Sequence, residues 1–143
     1  MRIAIASDHA GFELKEHVKT QLQSAGHDVV DVGPVTDEST DYPRYARPAA
    51  QLVAEGDADR GVLVCGSGVG VAIVANKVPG VRAVNAHDAE EAQLSRAHND
   101  ANVVTLSGRR LDGSQADEIV RVFLESEFEG GRHARRVALI EET

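Results

Sequence analysis

Two short polar segments of the chain combine residue types that could carry out chemistry. Residues 7–11 contain Asp8 and His9, and residues 65–70 begin with Cys65 and contain three glycines. Glycines let backbone N–H groups approach an anion at the start of a helix, where the helix dipole also favours negative charge. A thiolate beside such donors can remove a proton α to a carbonyl while the donors hold the resulting enediolate oxygen.

Each of these features also has a simpler interpretation. A single cysteine at the end of an apolar run can be a small core residue, and many α/β proteins bind phosphate with a glycine-rich loop. Residues 65–70 do not have the G-x-G-x-x-G spacing of a dinucleotide-binding protein. On its own, the loop therefore leaves both the ligand and the role of Cys65 open.

The histidines and the basic tail are less specific. No H-x-x-x-H pair occurs, and Cys65 has no partner at ligand spacing, so we expect no metal site. His98 precedes a predicted strand and could simply cap the end of a helix. In a helix, Arg132 and Arg136 would share one face, either as a fork for a phosphate or as a solvated charged surface.

The pattern of apolar runs predicts the elements that must position these residues. Five Val/Ile-rich runs alternate with helical patterns, at residues 3–6, 29–32, 61–65, 81–84 and 103–106. This alternation predicts one domain, residues 1–143, with a three-layer α/β/α architecture, a five-stranded parallel sheet and a C-terminal helical tail at 132–142. With strand order 2-1-3-4-5, Asp8, His9, Cys65 and Ser67 would face one crevice at the switch point.

Composition narrows the classes of partner and compartment. The 143 residues carry a formal net charge of −8, which argues against nucleic acid as the main partner. No apolar run approaches the length of a membrane span, and the early Asp8 leaves too short a run for a signal peptide. Because the single cysteine cannot form an intrachain disulfide, we expect the protein in the reducing cytoplasm. Because no apolar run is long enough to span a bilayer, we expect no membrane partner.

Taken together, the motifs resemble one known family almost from end to end. The segments that match are residues 7–11, 41–43, 65–70, 76–80, 98–99, 108–109 and 132–136. In this order they are similar to ribose-5-phosphate isomerase type B, a family that also includes allose- and galactose-6-phosphate isomerases. Another branch of that family has Gly in place of the cysteine and Glu at the position of Val71, so this chain resembles the cysteine branch.

The resemblance implies a flavodoxin-like, Rossmann-like fold and an aldose–ketose isomerase of the pentose phosphate pathway that uses no cofactor. It implies a homodimer, possibly paired into a tetramer, with shared active sites and a tail that reaches the partner subunit. Cys65 would be the base, Ser67 and the N–H groups of residues 66–70 would stabilise the enediolate, and His98 would open the sugar ring. The remaining implied substrate-binding residues are Asp8, His9, Tyr42, Gly66, Gly68, Val69, Gly70, Asn99, Arg109, Arg132, His133 and Arg136.

The sequence is also compatible with three other functions. The same scaffold could act on a six-carbon sugar phosphate, a choice set by pocket depth. The chain could be a non-catalytic phosphosugar-binding module, although mere binding needs no base such as Cys65. A nucleotide-binding protein is disfavoured by the missing fingerprint.

Overall fold

The structure, a computed structural model, describes residues 1–142 as five strands and six helices in alternation. The elements are β1 (Arg2–Ser7), α1 (Phe12–Ser24), β2 (Asp28–Gly33), α2 (Pro43–Ala54), β3 (Arg60–Cys65), α3 (Val69–Asn76), β4 (Ala83–Asn85), α4 (Ala89–Asn99), β5 (Val103–Ser107), α5 (Gly113–Glu125) and α6 (Arg132–Glu141). No helix within residues 1–142 has both the length and the apolar character needed to cross a bilayer.

All strand pairs are parallel, and the sheet has the order β2-β1-β3-β5-β4. Helices α1, α4 and α5 cover one face and α2 and α3 cover the other, as the two apolar clusters of the core show. Alternate residues of β1 divide between these clusters: Ile3 and Ile5 face α1, whereas Ala4 and Ala6 face α2. The three-layer α/β/α fold predicted from the sequence is confirmed.

The predicted order of the last two strands is wrong, because β5 and not β4 lies beside β3. The physical reason is burial. All five residues of β5 are buried, as expected of an inner strand, whereas β4 has only three residues, all partly exposed, as expected of an edge. The switch point between β1 and β3 is unaffected, since these strands pair directly.

The start of the fourth strand also differs from the sequence prediction, and two helices begin with side-chain caps. The fourth strand begins at Ala83, and Val81, predicted to lie in it, instead packs in the core beneath α2 and α3. Helix α5 begins with a capping box between Asp112 and Gln115. The N-cap of α4 is Asp88, whose side chain accepts a hydrogen bond from the Glu91 amide.

Candidate active site

Cys65 is the last residue of β3 and lies beneath the first turn of α3. Its side chain is buried, and Sγ accepts a hydrogen bond from the Gly68 N–H at 3.2 Å. Gly68 has φ = +77°, and a Cβ at this position would collide with the side-chain oxygen of Asn85. A glycine is therefore required for the loop to turn over the thiol and start the helix.

Three side chains from the neighbouring strands hold this loop from behind. The carbonyl oxygens of residues 66, 67 and 68 accept hydrogen bonds from Ser107 Oγ at 2.7 Å, Asn85 Nδ2 at 3.3 Å and Thr105 Oγ1 at 2.8 Å, respectively. On the other side of the loop, the Gly68 N–H donates to Cys65 Sγ and the Val69 N–H donates to Ser67 Oγ at 3.1 Å. These hydrogen bonds fix the backbone amides at the start of α3 beside the thiol.

The loop after β1 lies directly beside the thiol loop. The backbone N–H of Asp8 donates to the carbonyl of Val64, the residue before Cys65, at 3.2 Å. The buried Asp8 carboxylate accepts the Gly11 N–H at 2.9 Å, which fixes the turn into α1. His9 is exposed, and its Nδ1 lies 3.2 Å from both the N and O atoms of Thr40, so it ties in the loop that leads to α2.

Tyr42 and Arg109 complete this edge of the sheet. The Tyr42 ring packs on Gly70, where a Cβ would lie 2.8 Å from Tyr42 Cζ. The guanidinium of Arg109 lies over Gly66, 3.1 Å from where a Cβ would stand. Among residues 1–142 no carboxylate pairs with Arg109, so its charge is available to a ligand. A thiol, the backbone amides of the glycine-rich loop and a guanidinium therefore lie at one edge of the sheet.

The remaining predicted site residues lie at the opposite edge of the sheet. Helix α4 runs back from the end of β4, so His98 and Asn99 stand next to the start of β5. Helix α6, which carries Arg132, His133 and Arg136, packs against α4 at that edge. The six residues of β3 separate the two edges by roughly 15–20 Å. Within one chain, His98 therefore cannot reach a sugar bound at Cys65.

The second group has its own geometry. The rings of His98 and His133 stack with their centroids 4.4 Å apart. Burial lowers the pKa of His133 below its usual value, and the nearby charges of His98 and Arg132 lower it further. Arg132 and Arg136 are exposed and form no ion pair within residues 1–142. These arginines project from the chain as unpaired cations.

Several residues that shape the site were not found from the sequence. Thr105 and Ser107 are polar residues in an otherwise apolar strand, and that contrast was the available signal for hydrogen-bonding partners. Asn85 gave no such signal, because its contact depends on how β4 pairs with β5. Glu129 was also missed; its carboxylate faces His98 and His133 across a turn that no spacing motif describes.

The sequence matches known proteins over nearly its whole length. The family model described as ribose/galactose isomerase matches residues 3–140. Ribose-5-phosphate isomerase B of Escherichia coli is 45% identical over 139 residues, which are 97% of this chain and 93% of that protein. The protein named probable ribose-5-phosphate isomerase B in Mycoplasma pneumoniae is also 45% identical, over 96% of this chain and 91% of its own length.

Solved structures agree with the sequence matches. A ribose 5-phosphate isomerase from Thermotoga maritima superposes with a TM-score of 0.97 and 46% identity, covering 99% of this chain and 98% of that one. Ribose-5-phosphate isomerase B from Mycoplasma genitalium, solved with bound ribulose-5-phosphate, superposes with a TM-score of 0.94 and 44% identity. The match covers 99% of this chain and 94% of that one. The motifs, the fold and these matches agree, and the chain belongs to the ribose/galactose isomerase family.

Proposed function

We propose that this chain is an aldose–ketose isomerase that interconverts ribose 5-phosphate and ribulose 5-phosphate. Its family and its relatives named ribose-5-phosphate isomerase B support this substrate, as does the Mycoplasma genitalium structure with bound ribulose-5-phosphate. The observation that carries the proposal is the contact between Cys65 Sγ and the Gly68 N–H at the start of α3. An isomerase of this kind needs a base and an oxyanion site side by side.

The proposed chemistry is a proton transfer within the open-chain sugar. The Cys65 thiolate removes the proton from C2 of the aldose, and the C1 oxygen takes the negative charge of the enediolate. The loop amides and Ser67 Oγ stabilise that charge. The thiol then returns the proton to C1, while the hydroxyl proton on O2 moves to O1, which gives the ketose without any net change in atoms or electrons.

We further propose that each complete site is shared between two chains. Cys65 and His98 lie at opposite edges of the sheet, so a second copy must supply His98 for ring opening and Arg132 and Arg136 for phosphate. Helix α3 exposes Val69 and Ile73 beside the candidate site, an apolar face that suits a homodimer contact. Asp8 and Tyr42 would orient the sugar, with His9, Arg109 and His133 near phosphate and Asn99 on a hydroxyl.

The cellular setting belongs to the same proposal. A buried free thiol at the reaction centre suits a reducing compartment, so we place the enzyme in the cytoplasm, with a phosphosugar as its small-molecule partner. The family resemblance also allows two such dimers to pair into a tetramer. Such pairing would leave the chemistry at Cys65 unchanged.

The direct test is an isomerase assay of the purified chain with ribose 5-phosphate and with allose 6-phosphate. We expect a kcat/KM clearly higher for the five-carbon substrate. A preference for allose 6-phosphate would assign a six-carbon isomerase on the same scaffold. If the chain binds both sugar phosphates but turns over neither, the proposed isomerase activity is wrong and the chain is a phosphosugar-binding module.

A further inference from the structure

Three side chains with metal-binding atoms meet at the edge of the sheet remote from Cys65. His98 lies in the last turn of α4, His133 in the first turn of α6, and Glu129 in the segment between α5 and α6. Glu129 Oε1 is 3.8 Å from Nε2 of His98 and 3.8 Å from Nε2 of His133. One ligand atom from each of the three lies within 4.8 Å of the others.

The backbone holds these side chains in place. The N–H of Glu129 donates to the carbonyl of Ala97, the residue before His98, at 3.0 Å. Gly130 and Gly131, both with positive φ, then turn the chain so that the His133 N–H donates to the Gly130 carbonyl at 3.0 Å. His133 is buried, with its ring stacked on His98. The cluster is therefore set by packing and by main-chain hydrogen bonds.

The carboxylate of Glu129 is not engaged by either ring. A separation of 3.8 Å is too long for a hydrogen bond, so the oxygen faces both nitrogens without a proton shared between them. Around a tetrahedral Zn²⁺ with bonds of about 2.0–2.1 Å, neighbouring ligand atoms stand roughly 3.3–3.5 Å apart. The separations of Glu129 Oε1 from the two rings would contract by a few tenths of an ångström to reach that spacing. The rings stack with an interplanar angle of only 12°, so one of them would have to turn out of the stack, because an imidazole binds an ion in its own ring plane. The His98 side chain, which is 40% exposed, has room for this turn.

The ligand types also suit a transition-metal ion. Two imidazoles and one carboxylate are a set that binds Zn²⁺ and leaves a fourth position for water. Arg132 and Arg136 lie close by and oppose a dication, so binding should be reversible and weaker than at a structural zinc site.

We propose that His98, Glu129 and His133 bind a divalent transition-metal ion such as Zn²⁺, and that the bound ion inhibits the isomerase. Coordination through Nε2 would occupy the imidazole of His98 and prevent it from delivering a proton to the sugar ring. The inhibitory half of this inference rests on the proposed function, whereas the binding half rests on the cluster alone. The ion is an inhibitor here and takes no part in the reaction.

The test compares Glu129→Gln with Glu127→Gln, an exposed glutamate two residues earlier that is outside the cluster. Zn²⁺ binding to metal-free protein is measured by calorimetry, and Co²⁺ binding by its visible absorption. We expect a single equivalent for the wild type and for Glu127→Gln. Loss of an outer-shell partner alone can cost 10–100-fold in metal affinity, so Glu129→Gln should weaken binding by at least about tenfold.

Activity provides the second measurement. The activity of each variant is first measured without metal and serves as that variant's own reference, because the Glu129 carboxylate faces His98. Zn²⁺ should inhibit the wild type and Glu127→Gln reversibly, with recovery on adding a chelator. Half-inhibition of Glu129→Gln should need at least about tenfold more Zn²⁺.

Other results would overturn the proposal. If Zn²⁺ does not bind stoichiometrically, or if Glu129→Gln and the wild type bind it equally well, the proposed metal site is wrong. Binding abolished by Cys65→Ala but kept by Glu129→Gln would place the ion on the thiol instead. If Zn²⁺ binds at the cluster but does not inhibit the isomerase, the proposal that the bound ion is an inhibitor is wrong. If the chain binds Zn²⁺ as expected but isomerises no sugar phosphate, the metal site stands and the proposed function fails.

Discussion

At the scale of single residues, the proposed reaction depends on Cys65 Sγ as its base. We predict that Cys65→Ala abolishes isomerisation while substrate binding stays close to that of the wild type. Loss of a base typically costs ~10²–10⁴-fold in rate, whereas the donors and cations that bind the sugar phosphate are unchanged. Turnover is measured by the formation of ketose phosphate, and binding by calorimetry. Near-normal turnover by a folded mutant would exclude Cys65 from the mechanism.

A second residue, Thr105, acts through the loop that covers the thiol. Its buried hydroxyl donates to the Gly68 carbonyl at 2.8 Å and lies 3.2 Å from Asn85 Oδ1. Thr105→Val keeps the shape but removes the shorter of two hydrogen bonds to this carbonyl and leaves only the one from the Ala72 N–H, at 3.3 Å, so the loop amides should shift. A misplacement of about 1 Å can cost 10²-fold, and we expect kcat to fall by roughly ten- to a hundredfold.

The matched control for Thr105→Val is Thr20→Val, which removes a hydroxyl that donates to the Glu16 carbonyl on the exposed side of α1. This variant should keep its full kcat. Thermal unfolding of both variants separates the loss of activity from the loss of fold. An unchanged kcat in folded Thr105→Val would mean that the loop amides hold their positions without this hydrogen bond.

At the scale of elements, α1 and β2 are joined by a lysine that is completely buried. Lys15 Nζ donates to both carboxylate oxygens of Asp31, at 3.0 and 2.9 Å, and to the Pro34 carbonyl at 2.9 Å. Burial acts to raise the pKa of Asp31, but hydrogen bonds from Lys19 and Lys15 outweigh it and hold the pKa below its ordinary value of 3.8. The ionised carboxylate is therefore the form that the fold favours.

This contact predicts a pH-dependent stability. Because the folded pKa of Asp31 is lowered, its contribution is present above the unfolded value and is lost as the pH falls through the folded value. We expect Asp31→Asn to lower the free energy of unfolding by roughly 3 kcal/mol at neutral pH, since Lys15 then lacks its buried counter-charge. The difference from the wild type should shrink below about pH 4.

Urea unfolding across this pH range measures the effect. Asp28→Asn is the control on the same strand, because the Asp28 carboxylate is mostly exposed and its ion pair with Arg2 is 3.5 Å long. Such surface pairs contribute about 0–1 kcal/mol. A difference between Asp31→Asn and the wild type that is the same at all pH values would contradict the assignment to the Asp31 charge.

The elements also show which parts of the fold could be predicted from the sequence. The alternation of apolar runs and helical stripes was enough to predict a three-layer fold and to bring Asp8 and Cys65 to one edge. The position of β5 could not be predicted from the order of the apolar runs in the sequence. It depends on the burial of the whole strand between β3 and β4. The hydrogen bonds of Thr105 and Ser107 follow from that position and were missed with it.

At the scale of the whole molecule, the candidate site is divided between two edges of the sheet. The sequence predicted a tail that reaches a partner, but it could not place His98, since that depends on the direction in which α4 runs back from β4. The structure puts His98 on the same edge as Arg132 and Arg136 and away from Cys65. In a chain of net charge −8, these unpaired arginines are a local exception suited to a phosphate.

The division predicts how two defective chains complement each other. We combine a Cys65→Ala chain with an Arg132→Ala/Arg136→Ala chain, each nearly inactive alone. If sites are shared, a mixed dimer places both defects in one site and leaves the other site whole.

Each charge-assisted contact to phosphate contributes roughly 1.5–3 kcal/mol, so the chain that lacks both arginines should show a KM raised about a hundredfold or more. Mixed dimers should recover toward half of the wild-type activity per dimer, because one of their two sites is intact. Dimers carrying two different tags are isolated, confirmed by mass spectrometry and then assayed. Activity no higher than that of the parent homodimers would mean that each chain supplies its own arginines to Cys65.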